Sequence, residues 1–249
     1  MNPKQRMNIV LDQGNTLCKI GFFDNNNHPV FVLSYSELTV PILEELFLTH
    51  TPERGILSTV IDLEVSILHF LDTHLKQFVR FNHQTPIPIG NHYGTPSSLG
   101  LDRLAAAVGA WFLKPNTPLL IIDVGTAITY DFVQADGVYQ GGNIAPGLRT
   151  RLKSLHHYTG RLPLVEPSVN FPFLGRTTDT AILAGVMQGI LFEMDGYFDA
   201  LKSQYENLFA FLTGGDLIFF VDKLKSSIFV CDNLVLAGLN RILCFHDPL

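Results

Sequence analysis

The stretch IVLDQGNTLCKIGFF, Ile9 to Phe23, decides the fold. An apolar run ends in Asp12, a short turn with Gly14, Asn15 and Thr16 follows, and a β-rich run returns from Leu17 to Phe23. That order reads as a β-hairpin. In a P-loop or a dinucleotide fold the glycine would open a helix, and the fuller patterns GxxxxGK[ST] and GxGxxG are missing. Residues 119–132, LLIIDVGTAITYDF, repeat the arrangement: an apolar strand closes on Asp123, Gly125 and Thr126 make the turn, and Ala127 to Val133 return. Polar turns follow both hairpins, Asp24 to Asn27 and Ala135 to Gly137, and each continues into a further strand, Val30 to Tyr35 and Val138 to Gln140.

Working outward, SELTVPILEELFLTH and DLEVSILHFLDTHLKQF carry helical apolar spacing, with a short buried strand from Gly55 to Val60 between them. GLDRLAAAVGAWFL is an Ala-rich helix that stops at KPNTP, which places the domain boundary at residues 115–118 and gives lobes of 1–115 and 116–249. Beyond the second hairpin come a loop, GGNIAPG, a basic amphipathic helix from Leu148 to His157, and a long helix opened by GRTTDT that runs towards Gln204. The repeated Asp-x-Gly-(Asn)-Thr at the head of two similarly ordered halves predicts two related α/β lobes facing one cleft.

The composition narrows the classes. With 249 residues, 47% of them hydrophobic, the chain needs no staples to bury a core. Cys18, Cys231 and Cys244 form neither a metal spacing nor a disulfide framework, so a reducing, cytoplasmic setting is expected. The opening residues MNPKQRMN lack a signal core, and no apolar run is long enough for a membrane helix. A net charge of −6 with no Lys/Arg-dense run offers no footprint for nucleic acid.

The hairpins suit a polyphosphate. A missing side chain at Gly14 or Gly125 lets backbone N–H groups approach an anion, Asn15, Thr16 and Thr126 add donors, and Lys19 adds a cation. Asp12 and Asp123 would repel phosphate unless they hold a cation or a water, with Asp131 a further position for such a contact. Either hairpin alone reads first as ordinary turn chemistry, and it is the two copies, each with Thr following, that favour a functional site. Asp102 falls in the first turn of the Ala-rich helix, where it is either a dipole-favoured capping acid or a base that takes a proton from an attacking hydroxyl. GRTTDT is first of all a helix cap. His156 and His157 fall on a solvated face, and Gly141, Gly142 and Gly147 read as turns.

In order, DQGNTLCK, YGTPSSLGLDR, DVGTAITYDF, GGNIAPG, GRTTDTAILAG and LTGGD resemble the motifs of the type III pantothenate kinases. The resemblance implies the fold of the acetate kinase, sugar kinase, Hsc70 and actin superfamily, two ribonuclease-H-like lobes with a nucleotide cleft between them. It implies transfer of the γ-phosphate of ATP to the primary hydroxyl of pantothenate. By position, Asp102 matches the proton acceptor. Tyr93, Gly100, Leu101, Asp102, Arg103 and Thr178 match pantothenate contacts. Asp12, Gln13, Gly14, Asn15, Thr16, Leu17, Cys18, Lys19 and Thr126 match the ATP site, with Mg2+ accompanying the nucleotide. Asp123 matches the ligand of a monovalent cation, potassium or ammonium. Similar proteins are homodimers, so the Thr178 region is expected to serve a neighbouring subunit. Gly94-Thr95 stands before Pro96 where the family pattern has Asn next to the proline. Two other readings are a phosphohydrolase of the same fold, which would direct water at the phosphate, and a non-catalytic regulatory binding protein.

Overall fold

The structure is a computed structural model and describes residues 7–15 and 17–246. Thr16 and the terminal Asp247, Pro248 and Leu249 lie outside the described residues. The chain forms two compact units, residues 1–113 with 234–249, and residues 114–233.

In the first unit β1 (Asn8–Gln13) is the central strand. It pairs antiparallel with β2 (Cys18–Phe23), which pairs antiparallel with β3 (Pro29–Tyr35). On its other side it runs parallel to β4 (Arg54–Thr59), and β4 runs parallel to β5 (Gln77–Arg80). The sheet order is therefore β3-β2-β1-β4-β5. The parallel steps need crossovers, supplied by α1 (Val40–His50) before β4 and α2 (Val65–His74) before β5. These helices cover the face carrying Ile9, Leu11, Cys18, Ile20 and Phe22. A two-residue strand β6 (Gly90–Asn91) and a 3₁₀ turn at Pro96–Ser98 lead into α3 (Leu101–Leu113).

In the second unit β7 (Leu119–Val124), β8 (Ala127–Val133) and β9 (Val138–Pro146) form an antiparallel meander. Two parallel strands continue on the other side of β7, β10 (Phe209–Thr213) and β11 (Phe229–Val230), so five strands of this six-stranded sheet, in the order β9-β8-β7-β10-β11, repeat the order of the first. Leu120, Ile122, Val124, Ile128 and Tyr130 pack beneath α4 (Leu148–Tyr158) and α5 (Thr178–Lys202). Thr177 caps α5 and exchanges hydrogen bonds with Thr180 in a capping box. The duplication read from the two hairpins thus extends to whole sheets, each an antiparallel meander followed by parallel strands.

Three features depart from the sequence reading. The last helix, α6 (Leu234–Phe245), belongs to the first unit and not to a lobe of residues 116–249. It packs along α3 and on β1, β2 and β4. The contact is close because both helices present glycine: a Cβ on Gly238 would stand 1.8 Å from the Ala105 carbonyl oxygen, and one on Gly109 would stand 2.4 Å from that of Leu234. Secondly, GGNIAP is strand and not loop, since β9 keeps pairing with β8 as far as Ala127–Pro146 after a bulge at Phe132/Val133. Thirdly, α2 stops at His74, because Gln77–Arg80 joins the sheet as β5.

Candidate active site

Both aspartates of the repeated motif occupy the same place in their sheets, the penultimate residue of the central strand. In the first unit Asp12 stands opposite Lys19 of β2 and opposite the buried Ser58 of β4. In the second, Asp123 stands opposite Thr129 of β8 and the buried Thr213 of β10. Side chains directly opposite each other share a sheet face, so each carboxylate has a hydroxyl residue on its parallel neighbour. Ser58 lies in no motif, and although Thr213 lies in LTGGD, nothing in that motif marks it as an aspartate's neighbour. Only the strand register reveals them.

Of the residues 12–19, Asp12 and Lys19 point to one face. Gln13 and Cys18 pair on the opposite face. Cys18 is completely buried in the core beneath α1 and α2, and burial pushes its thiol up to about 12. Any contact it makes with a ligand is therefore through its main chain. Gln13 is also buried, its amide donating to the Gly14 carbonyl at 2.8 Å while its Oε1 has no partner among the described residues. Asn15 and Leu17 are exposed in the turn, which the Gly14 N–H closes on the Leu17 carbonyl at 3.0 Å.

Gly14 and Gly125 are not demanded by the chain itself. Neither is among the glycines with positive φ. Among the described residues, a Cβ on Gly14 would meet nothing nearer than 3.4 Å, and one on Gly125 nothing nearer than 3.6 Å. Gly214, in the turn after β10, differs: its φ is +102°, and a Cβ there would stand 2.5 Å from Asp123 Oδ1. That turn can lie against the Asp123 carboxylate only as glycine.

Asp12 is the strongly perturbed acid of the first unit. Burial, then the charge of Asp102, raise its pKa from 3.8 to about 6, against the lowering effect of Lys19. Asp102 itself is exposed in the first turn of α3, its Oδ1 accepting the main-chain N–H of Arg103 at 2.8 Å. Arg103 is buried and lies over the Tyr93 ring, 5.8 Å from its centroid. The structure thus brings together Asp12, Lys19, Asp102, Arg103 and Tyr93 within the first unit. Gly100 immediately precedes α3 and Leu101 is its first residue. In the second unit Asp123, Thr126 and Thr178 occupy a strand end, an exposed turn and the start of α5. Asp131 is buried, its Oδ1 accepting the Tyr139 hydroxyl at 2.6 Å.

The donor chemistry fits hard cations. Among the described residues no group of three or more His, Cys, Asp or Glu is placed to hold a metal ion, so a cation here would depend on single carboxylates completed by main-chain or ligand oxygens. Asp123 against the Gly214 turn has that character. At Asp12, a bound cation would offset the cost of charging a carboxyl that burial and Asp102 disfavour.

Comparison with known proteins agrees with this geometry. The type III pantothenate kinase family matches residues 8–200. The chain is 46% identical to a type III pantothenate kinase of Phocaeicola vulgatus, over 98% of this chain and 100% of that one. It is 45% identical to one of Bacteroides fragilis, over 97% and 99%. Among solved structures it resembles a Campylobacter jejuni protein described as a Baf family transcriptional activator, with TM-score 0.62 and 20% identity over 97% of this chain and 100% of that one. It also resembles an activator of 2-hydroxyisocaproyl-CoA dehydratase from Clostridium difficile solved with ADPNP, with TM-score 0.51 and 13% identity over 96% and 95%. At such identities the structural likenesses speak for the fold, whereas the sequence matches span nearly the whole chain, and on their strength it belongs to the type III pantothenate kinase family.

Proposed function

We propose that this protein transfers the γ-phosphoryl group of ATP to the primary hydroxyl of pantothenate, giving 4'-phosphopantothenate for coenzyme A synthesis. The carrying observation is the full-length match to type III pantothenate kinases. Asp102, exposed at the head of α3, is the base: its carboxylate takes the hydroxyl proton as the hydroxyl oxygen bonds to the γ-phosphorus. The bond from that phosphorus to the β–γ bridging oxygen breaks and ADP leaves. Arg103, which follows Asp102 and lies over the Tyr93 ring, and Tyr93 bind pantothenate together with Gly100, Leu101 and Thr178. Residues 12–19 and Thr126 bind ATP, Lys19 by charge and the Gly14 and Gly125 turns through main-chain N–H groups. Asp123 would hold a monovalent cation, and Asp12 would serve the Mg2+ that accompanies ATP. These cations, when bound, neutralise charge that builds up on the phosphates.

We further propose that the protein works in the cytoplasm as a homodimer. Among the described residues no helix is long and apolar enough to cross a membrane. Phe173 and Leu174, just before α5 and Thr178, are 68% and 76% exposed, as expected of residues that a second subunit covers.

The test is ADP formation with ATP, magnesium and potassium, with and without pantothenate. Pantothenate-dependent turnover that falls roughly 100-fold or more in Asp102→Asn is the expected result. Phosphate release indifferent to pantothenate would assign a hydrolase instead, and no nucleotide turnover under any condition would favour a regulatory binding protein.

A further inference from the structure

The first turn of α4 lies against the turn of the second hairpin. Gly147, the N-cap of α4, donates its N–H to the Thr126 carbonyl at 3.0 Å. The Thr150 hydroxyl donates to the same carbonyl at 2.7 Å. A carbonyl oxygen has two lone pairs, and here both are engaged. Gly147 seats this closely because it has no side chain: a Cβ would stand 2.0 Å from the Gly125 oxygen and 2.6 Å from that of Thr126.

A second set of bonds holds α4 in that place. Arg151 donates from Nε to the Pro146 carbonyl and from its terminal nitrogen to Glu193 Oε2, each at 2.7 Å. The other Glu193 oxygen accepts the Tyr130 hydroxyl, also at 2.7 Å. Burial and then the Glu193 bond drive the Tyr130 phenol far above its ordinary range, so it remains a donor. The end of β9, α4, α5 and β8 thus form a braced frame, from which Gly147 and Thr150 reach the carbonyl of one exposed residue, Thr126. Within its own turn, the cross-turn bond from the Gly125 N–H to the Ala127 carbonyl, 3.0 Å, does not involve Thr126.

We propose that Thr150 is a positioning residue for the nucleotide. By fixing the Thr126 carbonyl it holds that residue's main chain and hydroxyl ready for a polyphosphate, so that less ordering is left to be done when ATP binds. Arg151, through Pro146 and Glu193, keeps α4 where Thr150 can do this. The proposal rests on the reading of Thr126 as part of the ATP site.

Thr150→Val keeps the shape and removes the donor, and Thr150→Ser keeps the donor. Titration with a fluorescent ATP analogue, alongside steady-state kinetics, should show the Kd for the analogue and the KM for ATP rising about fivefold to tenfold in Thr150→Val. That corresponds to about 1 to 1.4 kcal/mol. The KM for pantothenate should change less than about twofold, Tm should stay within about 2 °C, and Thr150→Ser should restore nucleotide binding. Unchanged analogue binding in Thr150→Val, while Thr126→Ala weakens it, would overturn the positioning role alone. Unchanged binding in both variants would overturn the Thr126 reading and the positioning role with it. Equal rises in both KM values, unrescued by serine, would reduce Thr150 to a general structural contact and overturn the proposal.

Discussion

The charge of Asp102, at the head of α3, helps hold the Asp12 carboxyl of β1 up at about 6, second only to burial as a cause. A raised carboxyl pKa means that folding favours the protonated form. Its contribution to stability is fully present below the unfolded value near 3.8 and is lost as pH rises through about 6. Wild-type stability, measured by urea unfolding against Asp12→Asn as reference, should fall by roughly 2–3 kcal/mol between pH 4 and 6.5. Asp102→Asn should move the midpoint of that fall to lower pH. A flat difference, or one that rises with pH, would contradict the raised value.

Asp123 in its proposed role makes turnover depend on a monovalent cation. Replacing potassium by sodium should slow the wild type, while Asp123→Asn should be slow in both salts, so the potassium effect itself disappears. Rates that ignore the salt in the wild type would remove that role from Asp123.

The seam between α3 and α6 has no room for a methyl group at Gly238. Gly238→Ala should destabilise the protein by roughly 3 kcal/mol through overpacking against the Ala105 carbonyl. Since α3 carries Asp102, kcat should fall with it. Thermal unfolding and turnover measured on the same preparation check both effects, and an unchanged Tm would show that the seam relaxes freely.

Tyr139→Phe removes the hydroxyl that donates to the buried Asp131 at 2.6 Å. The loss should be about 1–3 kcal/mol, read as a lower urea midpoint at constant m-value. Asp131→Asn in the same background should recover part of it, because a neutral amide is less costly to bury than a carboxylate that has lost one of its donors.

Much of this molecule was legible in its sequence because the deciding signals are local. A strand, an Asp, a glycine turn and a returning strand are contiguous, so both hairpins and their pseudo-repeat followed from reading a few residues at a time. The start of α5 was equally local, since the Thr177–Thr180 capping box spans four residues. The family motifs, met in order along the chain, pointed to the same family that the full-length comparison found.

What the sequence could not supply were relationships between distant residues. The addition of α6 to the first unit depends on two glycines, Gly109 and Gly238, that meet only after folding. The extension of β9 through GGNIAP depends on β8 offering it a partner, which overrides the turn preference of its glycines. Ser58 and Thr213 flank the two aspartates through parallel pairing across long crossovers. The hold of Thr150 on Thr126 spans 24 positions and runs through a main-chain carbonyl, a group that every residue carries and no sequence pattern marks. Local geometry is set by bonded neighbours and is written in the order of residues, whereas register, close packing and shared lone pairs are set by which surfaces meet, and those exist only in the folded chain.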